Sequence, residues 1–105
     1  GLGDVYKRQT LHLAAVFACN FVNHLYEVAS SQLEALSLSP RWLLPLITET
    51  ARKVSDLTPH DAQTGPARRG DRRVIEAHLR LLDGQPTWQE LYKIISESIY
   101  HQFHQ

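Results

Sequence analysis

The stretch that most constrains this chain is Leu11 to Val22, LHLAAVFACNFV, in which ten of twelve residues are apolar or small. Only His12 and Asn20 interrupt it. A helix that is apolar all round leaves no face for water and must be covered by other helices. The run is too short to span a bilayer. Its continuation, NHLYEVASSQLEAL, turns amphipathic, so the spacing predicts one helix from about Leu11 to Leu36. Leu11, Ala15, Ala18, Val22, Leu25 and Ala29 follow heptad-like spacing, with alanines that let a partner helix approach closely. Cys19, inside the run, reads as a small buried hydrophobe and not as a reactive thiol. The expectation is a central helix with two polar residues placed where polar residues are costly to bury.

The rest of the chain is punctuated by helix starts. Ser39-Pro40 reads as N-cap and first helical residue of a second helix, from about Pro40 to Leu57. Pro45 in its second turn removes a hydrogen bond and should kink or split it. Thr58-Pro59 repeats the signal for a turn or two of helix. The following stretch, Gln63 to Asp71, QTGPARRGD, reads as a structured loop. Asp71 is a good N-cap for a helix from Arg72 to Asp83, with Gly84 as its stop and Val74, Ile75, His78, Leu79 and Leu82 as its core stripe. Pro86-Thr87 opens the last helix, where Thr87 and Glu90 match a capping box and Leu91, Ile94, Ile95, Ile99 and Phe103 carry the buried face. No stretch alternates like a strand. The fold class read from this pattern is all-α, a helical bundle of four main helices plus a short one.

Composition narrows the function classes. The chain of 105 residues is long enough for one modest core, and its 11 basic and 11 acidic side chains balance. No global field therefore argues for nucleic acid or a membrane surface, and the cluster Arg68, Arg69, Arg72 and Arg73 lacks aromatic interleaving. One cysteine cannot form an internal disulfide, which fits a reducing, cytoplasmic setting. His101 and His104 have metal-compatible spacing but no third ligand, so no metal site is expected. Residues 1–9, GLGDVYKRQ, resemble a translated sequencing-adapter peptide that recurs at the ends of metagenomic reading frames. They read as a non-native leader, with the domain itself spanning residues 10–105.

Two sets of residues could carry chemistry. His12, Val16, Asn20 and His24 are spaced by four and form a slowly rotating line on one helix. Asn20 could donate to and accept from a substrate carbonyl or hydroxyl, and His12 could give up a proton near neutral pH. Equally, both could be satisfied core polar groups. In the loop, Thr64 offers a hydroxyl, Gly65 and Pro66 a tight turn with glycine-adjacent N–H groups, and Arg69 a guanidinium, a set suited to an anionic ligand. The alternative is a purely local role, with Asp71 capping its helix, Arg69 paired with it or capping a carbonyl, and the glycines serving a tight turn. His78 reads as a core histidine bonded to a carbonyl. No serine-histidine-acid or cysteine-histidine arrangement is legible.

The segments LHLAAVFACNFVNHL and TGPARRGDRRVIEAHL, joined by LLPLITETARKV, resemble the C-terminal helical domain of Rossmann-like proteins, domain of unknown function 2520. The likeness covers Thr10 to Phe103 and rests on His12 with Ala14-Ala15, Asn20, Thr64-Gly65-Pro66, Arg69-Gly70-Asp71 and His78. It implies a fold similar to the dimerising C-terminal domain of 6-phosphogluconate dehydrogenase-like enzymes. It also implies an N-terminal dinucleotide-binding domain in cis, NADP or NAD held mainly by that domain, a small-molecule substrate and a homodimer. On this reading His12 and Asn20 are the catalytic candidates, Thr64, Gly65, Pro66, Arg69 and Asp71 contact substrate or cofactor, and the fragment alone is inactive and binds no cofactor. Wider relatives carry a lysine four residues before the asparagine. Val16 stands there, so hydroxyacid oxidation through that lysine is not implied. The competing expectation is a non-enzymatic helical module that dimerises or senses a metabolite.

Overall fold

The computed structural model describes residues 1–104, and among them every regular element is helical. The chain divides into two compact units, residues 1–46 and 47–105.

The first unit is built on one long helix. α1 (Leu2–Ala15) runs into a π-helical segment (Val16–Phe21) and on into α2 (Val22–Glu34). Backbone angles at both junctions stay right-handed helical, with φ −61° and ψ −46° at Val16 and φ −59° and ψ −45° at Val22. The helix therefore begins well before Leu11, because no capping residue stops it from growing backwards through residues 2–9. At ~1.5 Å rise per residue it extends roughly 50 Å. Ser37 adopts a left-handed φ of 58° in the turn that ends it. A 3₁₀ turn (Pro40–Leu43) follows, with the Ser39 hydroxyl accepting from the Arg41 N–H at 3.2 Å.

α3 (Leu44–Asp56) crosses from one unit into the other. The expected second helix is thus split, and the break falls so that Pro45 sits in the first turn of α3, where its missing N–H costs nothing. On its exposed face Arg52 bridges Glu49, at 2.7 and 2.9 Å, and Asp56, at 2.7 Å. The guanidinium holds the Glu49 carboxyl below its ordinary range.

The second unit continues with α4 (Pro59–Ala62), α5 (Pro66–Arg69), α6 (Arg72–Leu81) and α7 (Pro86–Phe103). The caps read from the sequence form. The Thr58 hydroxyl accepts from the Asp61 N–H at 3.2 Å, Asp71 Oδ1 accepts from the Val74 N–H at 3.3 Å, and Gly84 takes a positive φ of 85°. One cap does not form. Pro86 occupies the first helical position of α7, so the N-cap falls on Gln85 and Thr87 lies inside the first turn rather than at its edge. The stretch expected to be all loop also contains a turn of helix, α5.

Burial departs most from expectation in the central helix. None of its described residues is buried; Leu11 is 72% exposed and Phe17 60%, and Cys19 is exposed as well. An apolar surface demands a cover, and the helices of its own unit do not bury it. Among the described residues the buried apolar side chains are Ala67 and Leu82, both in the second unit. The α6 stripe of Val74, Ile75, His78, Leu79 and Leu82 does face inward. On α7 the shielded side chains include Trp88, Leu91, Tyr92, Ser96, Ile99 and Phe103, while Ile94 and Ile95 are exposed.

Candidate functional site

The loop between α4 and α6 is set by its glycines. Gly65 has φ 101° and ψ 171°, a conformation essentially restricted to glycine. It turns the chain into Pro66, whose fixed φ starts α5. Gly70, at φ 69°, closes that helix in the left-handed conformation. The Arg69 N–H donates to the Gly65 carbonyl at 3.3 Å, the Gly70 N–H to Ala67 at 3.2 Å and the Asp71 N–H to Pro66 at 2.9 Å. These are the paired closing bonds of a glycine-terminated helix. The glycine-adjacent N–H groups of Arg69, Gly70 and Asp71 are therefore already engaged within the loop.

Side chains are what the loop presents outward. Thr64 and Arg69 are exposed, and Arg69 enters no ion pair among the described residues. Asp71 caps α6 and is half-buried, so its carboxylate is held in place. Beside the loop a cleft of about 300 Å³ opens between α6 and α7, lined by Gly70 and Tyr100, apolar Ile75 and Leu79, and polar Arg72, Lys93, Ser96 and Glu97.

The last turn of α7 grips this loop from outside. His104 Nε2 lies 2.8 Å from the Arg68 carbonyl, and because a carbonyl only accepts, that nitrogen carries the hydrogen. The His104 ring stacks on Tyr100 with centroids 4.4 Å apart. The Arg68 guanidinium carbon sits 4.4 Å from the centre of the Phe103 ring, which also stacks on His60 at 4.5 Å. A Cβ placed on Gly70 would lie 3.3 Å from Tyr100 Cε2, so the ring leaves little room for a side chain there.

Also between α6 and α7, His78 Nδ1 and the Tyr92 hydroxyl are 2.7 Å apart. His78 thus finds a phenol on α7, not the carbonyl expected of it. Burial pushes the Tyr92 hydroxyl above its ordinary range. Gln89 reaches across as well, its amide donating to the Leu79 carbonyl at 2.9 Å.

In the first unit His12 lies in α1 and Asn20 in the π-helical segment, both exposed. Beside them Phe17 and Phe21 meet edge to face, with ring centroids 5.1 Å apart. In a π turn the hydrogen bonds reach one residue further than in an α-helix, and such turns recur inside α-helices at functional sites. The turn changes the angular relation of Asn20 to His12 from that of an unbroken α-helix. No signal in VFACNF announces it. Among the described residues no group of three or more potential metal ligands forms, and no helix is long and apolar enough to cross a membrane.

Residues 4–99 match the family described as Domain of unknown function (DUF2520). The chain belongs to this family. Among solved structures, it is similar to that titled a putative NADP oxidoreductase from Bacteroides fragilis, with 52% identity and a TM-score of 0.89. The match covers 91% of this chain and 37% of the other, so the chain spans little more than a third of that relative's length. No curated protein matches the chain. Family membership agrees with the resemblance carried by the His12–Asn20 helix and the Thr64–Asp71 loop. The match starts inside residues 1–9 and ends before the final turn of α7.

Proposed function

We propose that this chain is the substrate-cleft and dimerisation domain of an NADP-dependent oxidoreductase, working with a dinucleotide-binding domain that holds most of the cofactor. The observation that carries this reading is the 52% identity, over 91% of the chain, to a protein titled a putative NADP oxidoreductase of which the match occupies 37%. At that identity the domain fold is shared, and the remaining length of the relative leaves room for a second domain of ordinary size.

In this reading His12 and Asn20 face substrate. Asn20 hydrogen-bonds a carbonyl or hydroxyl through its amide, and His12 supplies or takes a proton. Thr64 and Arg69 contact an anionic group of substrate or cofactor, with Gly65, Pro66 and Asp71 holding the loop that presents them. The chain by itself binds NADPH weakly at most. A second copy covers the exposed apolar face of the long helix.

The deciding experiment is to sequence the source DNA upstream of the codon for Thr10. The expected result is an open frame that continues into a strand–loop–helix unit with a glycine-rich phosphate turn. A start codon immediately upstream would overturn the proposal in favour of a free-standing module that dimerises or senses a metabolite. Tight one-to-one NADPH binding by this chain alone, read by calorimetry, would contradict the division of labour.

A further inference from the structure

The last turn of α7 makes contacts that helix packing alone does not require. Tyr100 and Phe103 of that turn, with His104 capping it, address one short loop thirty or more positions earlier. His104 donates to the Arg68 carbonyl at 2.8 Å, Phe103 receives the Arg68 guanidinium at 4.4 Å, and Tyr100 closes over Gly70 while stacking on His104. Each contact falls on a different part of α5 or its cap. One holds a backbone carbonyl, one a side chain, and one the left-handed glycine whose geometry sets the start of α6. The final residues of this turn lie beyond the span that matches the family, which ends at residue 99.

We infer that Tyr100, Phe103 and His104 form a latch that positions the Thr64–Asp71 loop, making His104 a positioning residue for whatever that loop binds. The physical logic is one of competing loop states. α5 is a single turn, and one turn of helix is unstable alone because several backbone dihedrals are fixed for very few hydrogen bonds. Its closing bonds from Gly70 and Asp71 survive only if something outside the loop restrains it. The latch supplies that restraint through Arg68 and Gly70, leaving the side chains of Thr64 and Arg69 out of its contacts. With Arg68 held on Phe103, Arg69 is the guanidinium of the pair left to meet a ligand. The role in ligand binding rests on the proposed function, whereas the mechanical coupling of α7 to the loop stands independently of it.

The test uses the whole chain and reads amide hydrogen exchange at Gly70 and Asp71 by NMR. In His104→Ala both the donor and the stacked ring are lost, and exchange at these two amides is expected to quicken by about tenfold. His104→Gln keeps an N–H donor and should recover part of the protection. His101→Ala, in the same turn but in contact with Tyr100 and not with the loop, should leave both amides unchanged. The thermal midpoint should stay constant across the set, separating a local latch from general loosening. Unchanged Gly70 and Asp71 exchange in His104→Ala, or equal effects of His104→Ala and His101→Ala, would overturn the latch. Titration with inorganic phosphate then separates the two ideas. Faster exchange in His104→Ala together with weakened phosphate shifts at Arg69 supports the latch and its role in binding. Faster exchange with no phosphate response at Arg69 in the parent chain supports the latch and counts against anion binding by the loop.

Discussion

Two residues in the second unit define environments sharp enough to predict. Tyr92 is half-buried, with its hydroxyl 2.7 Å from His78. Burial raises its pKa above 10.0 because the phenolate would sit in poorer solvation than in water. The folded state then binds the phenolic proton more tightly than the unfolded state does. This contribution is complete below pH 10 and is lost as pH rises through the folded value. Ultraviolet titration of the native chain should show one tyrosine ionising later than free tyrosine, and that late component should vanish in Tyr92→Phe. The same substitution strands His78 Nδ1 and should cost about 1 kcal/mol in urea denaturation; no measurable loss would mean that water replaces the bond. Gly65 makes a different case. A Cβ there would meet nothing within 4 Å, so Gly65→Ala has only the backbone conformation against it, with φ at 101°. The expected loss is roughly 1–3 kcal/mol. A neutral result in the same urea assay would show that the loop can turn another way.

At the scale of elements, the caps were the most legible part of the chain because their code is local. Ser39, Thr58 and Asp71 each bond an N–H two or three residues on, and Gly84 takes the left-handed stop that only its neighbours needed to announce. The α6 stripe was legible for the same reason, a 3.6-residue period written without interruption. Where the answer depended on a distant partner, sequence pattern misled. Ile94 and Ile95 are apolar yet exposed, whereas Ser96 and Tyr92 are shielded, because position against the loop and α6 decided burial on α7. Of the candidate site, the loop's own geometry was readable from its glycines and proline, but the grip of α7 on it was not, since nothing local pairs His104 with Arg68. The π turn was invisible because its cause, like its effect, is a matter of register. Deleting Ala18 should remove the extra residue and restore an unbroken α-helix through this region, with α1 and α2 keeping their mutual register, because a π turn closes the same full turn with one residue more. Circular dichroism should then show unchanged helix content while the apolar side chains inside the turn are re-aimed. If the π turn serves only to relieve local crowding, the deletion should leave self-association as strong as before. If it aligns the apolar face for a partner, the association constant should fall by an order of magnitude or more.

In the molecule as a whole, the unit that asks for a cover is the first, where Leu11, Leu13, Phe17 and Phe21 on the long helix are each at least half exposed. Covering such side chains is worth about 1.5–3 kcal/mol apiece, comparable in sum to the whole stability of a small domain. Folding should therefore be coupled to association, with the melting temperature rising as protein concentration rises. The measurement is a set of thermal melts over a hundredfold concentration range, paired with sedimentation equilibrium. A monomer whose melting temperature does not move would show that the helices close on one another in solution and cover the face themselves. A midpoint that climbs with concentration, alongside a monomer–dimer equilibrium, would identify a second copy as a cover of the long helix. Leu11→Asp with Phe17→Asp should then abolish the dimer and lower the midpoint together, because the same apolar surface drives both.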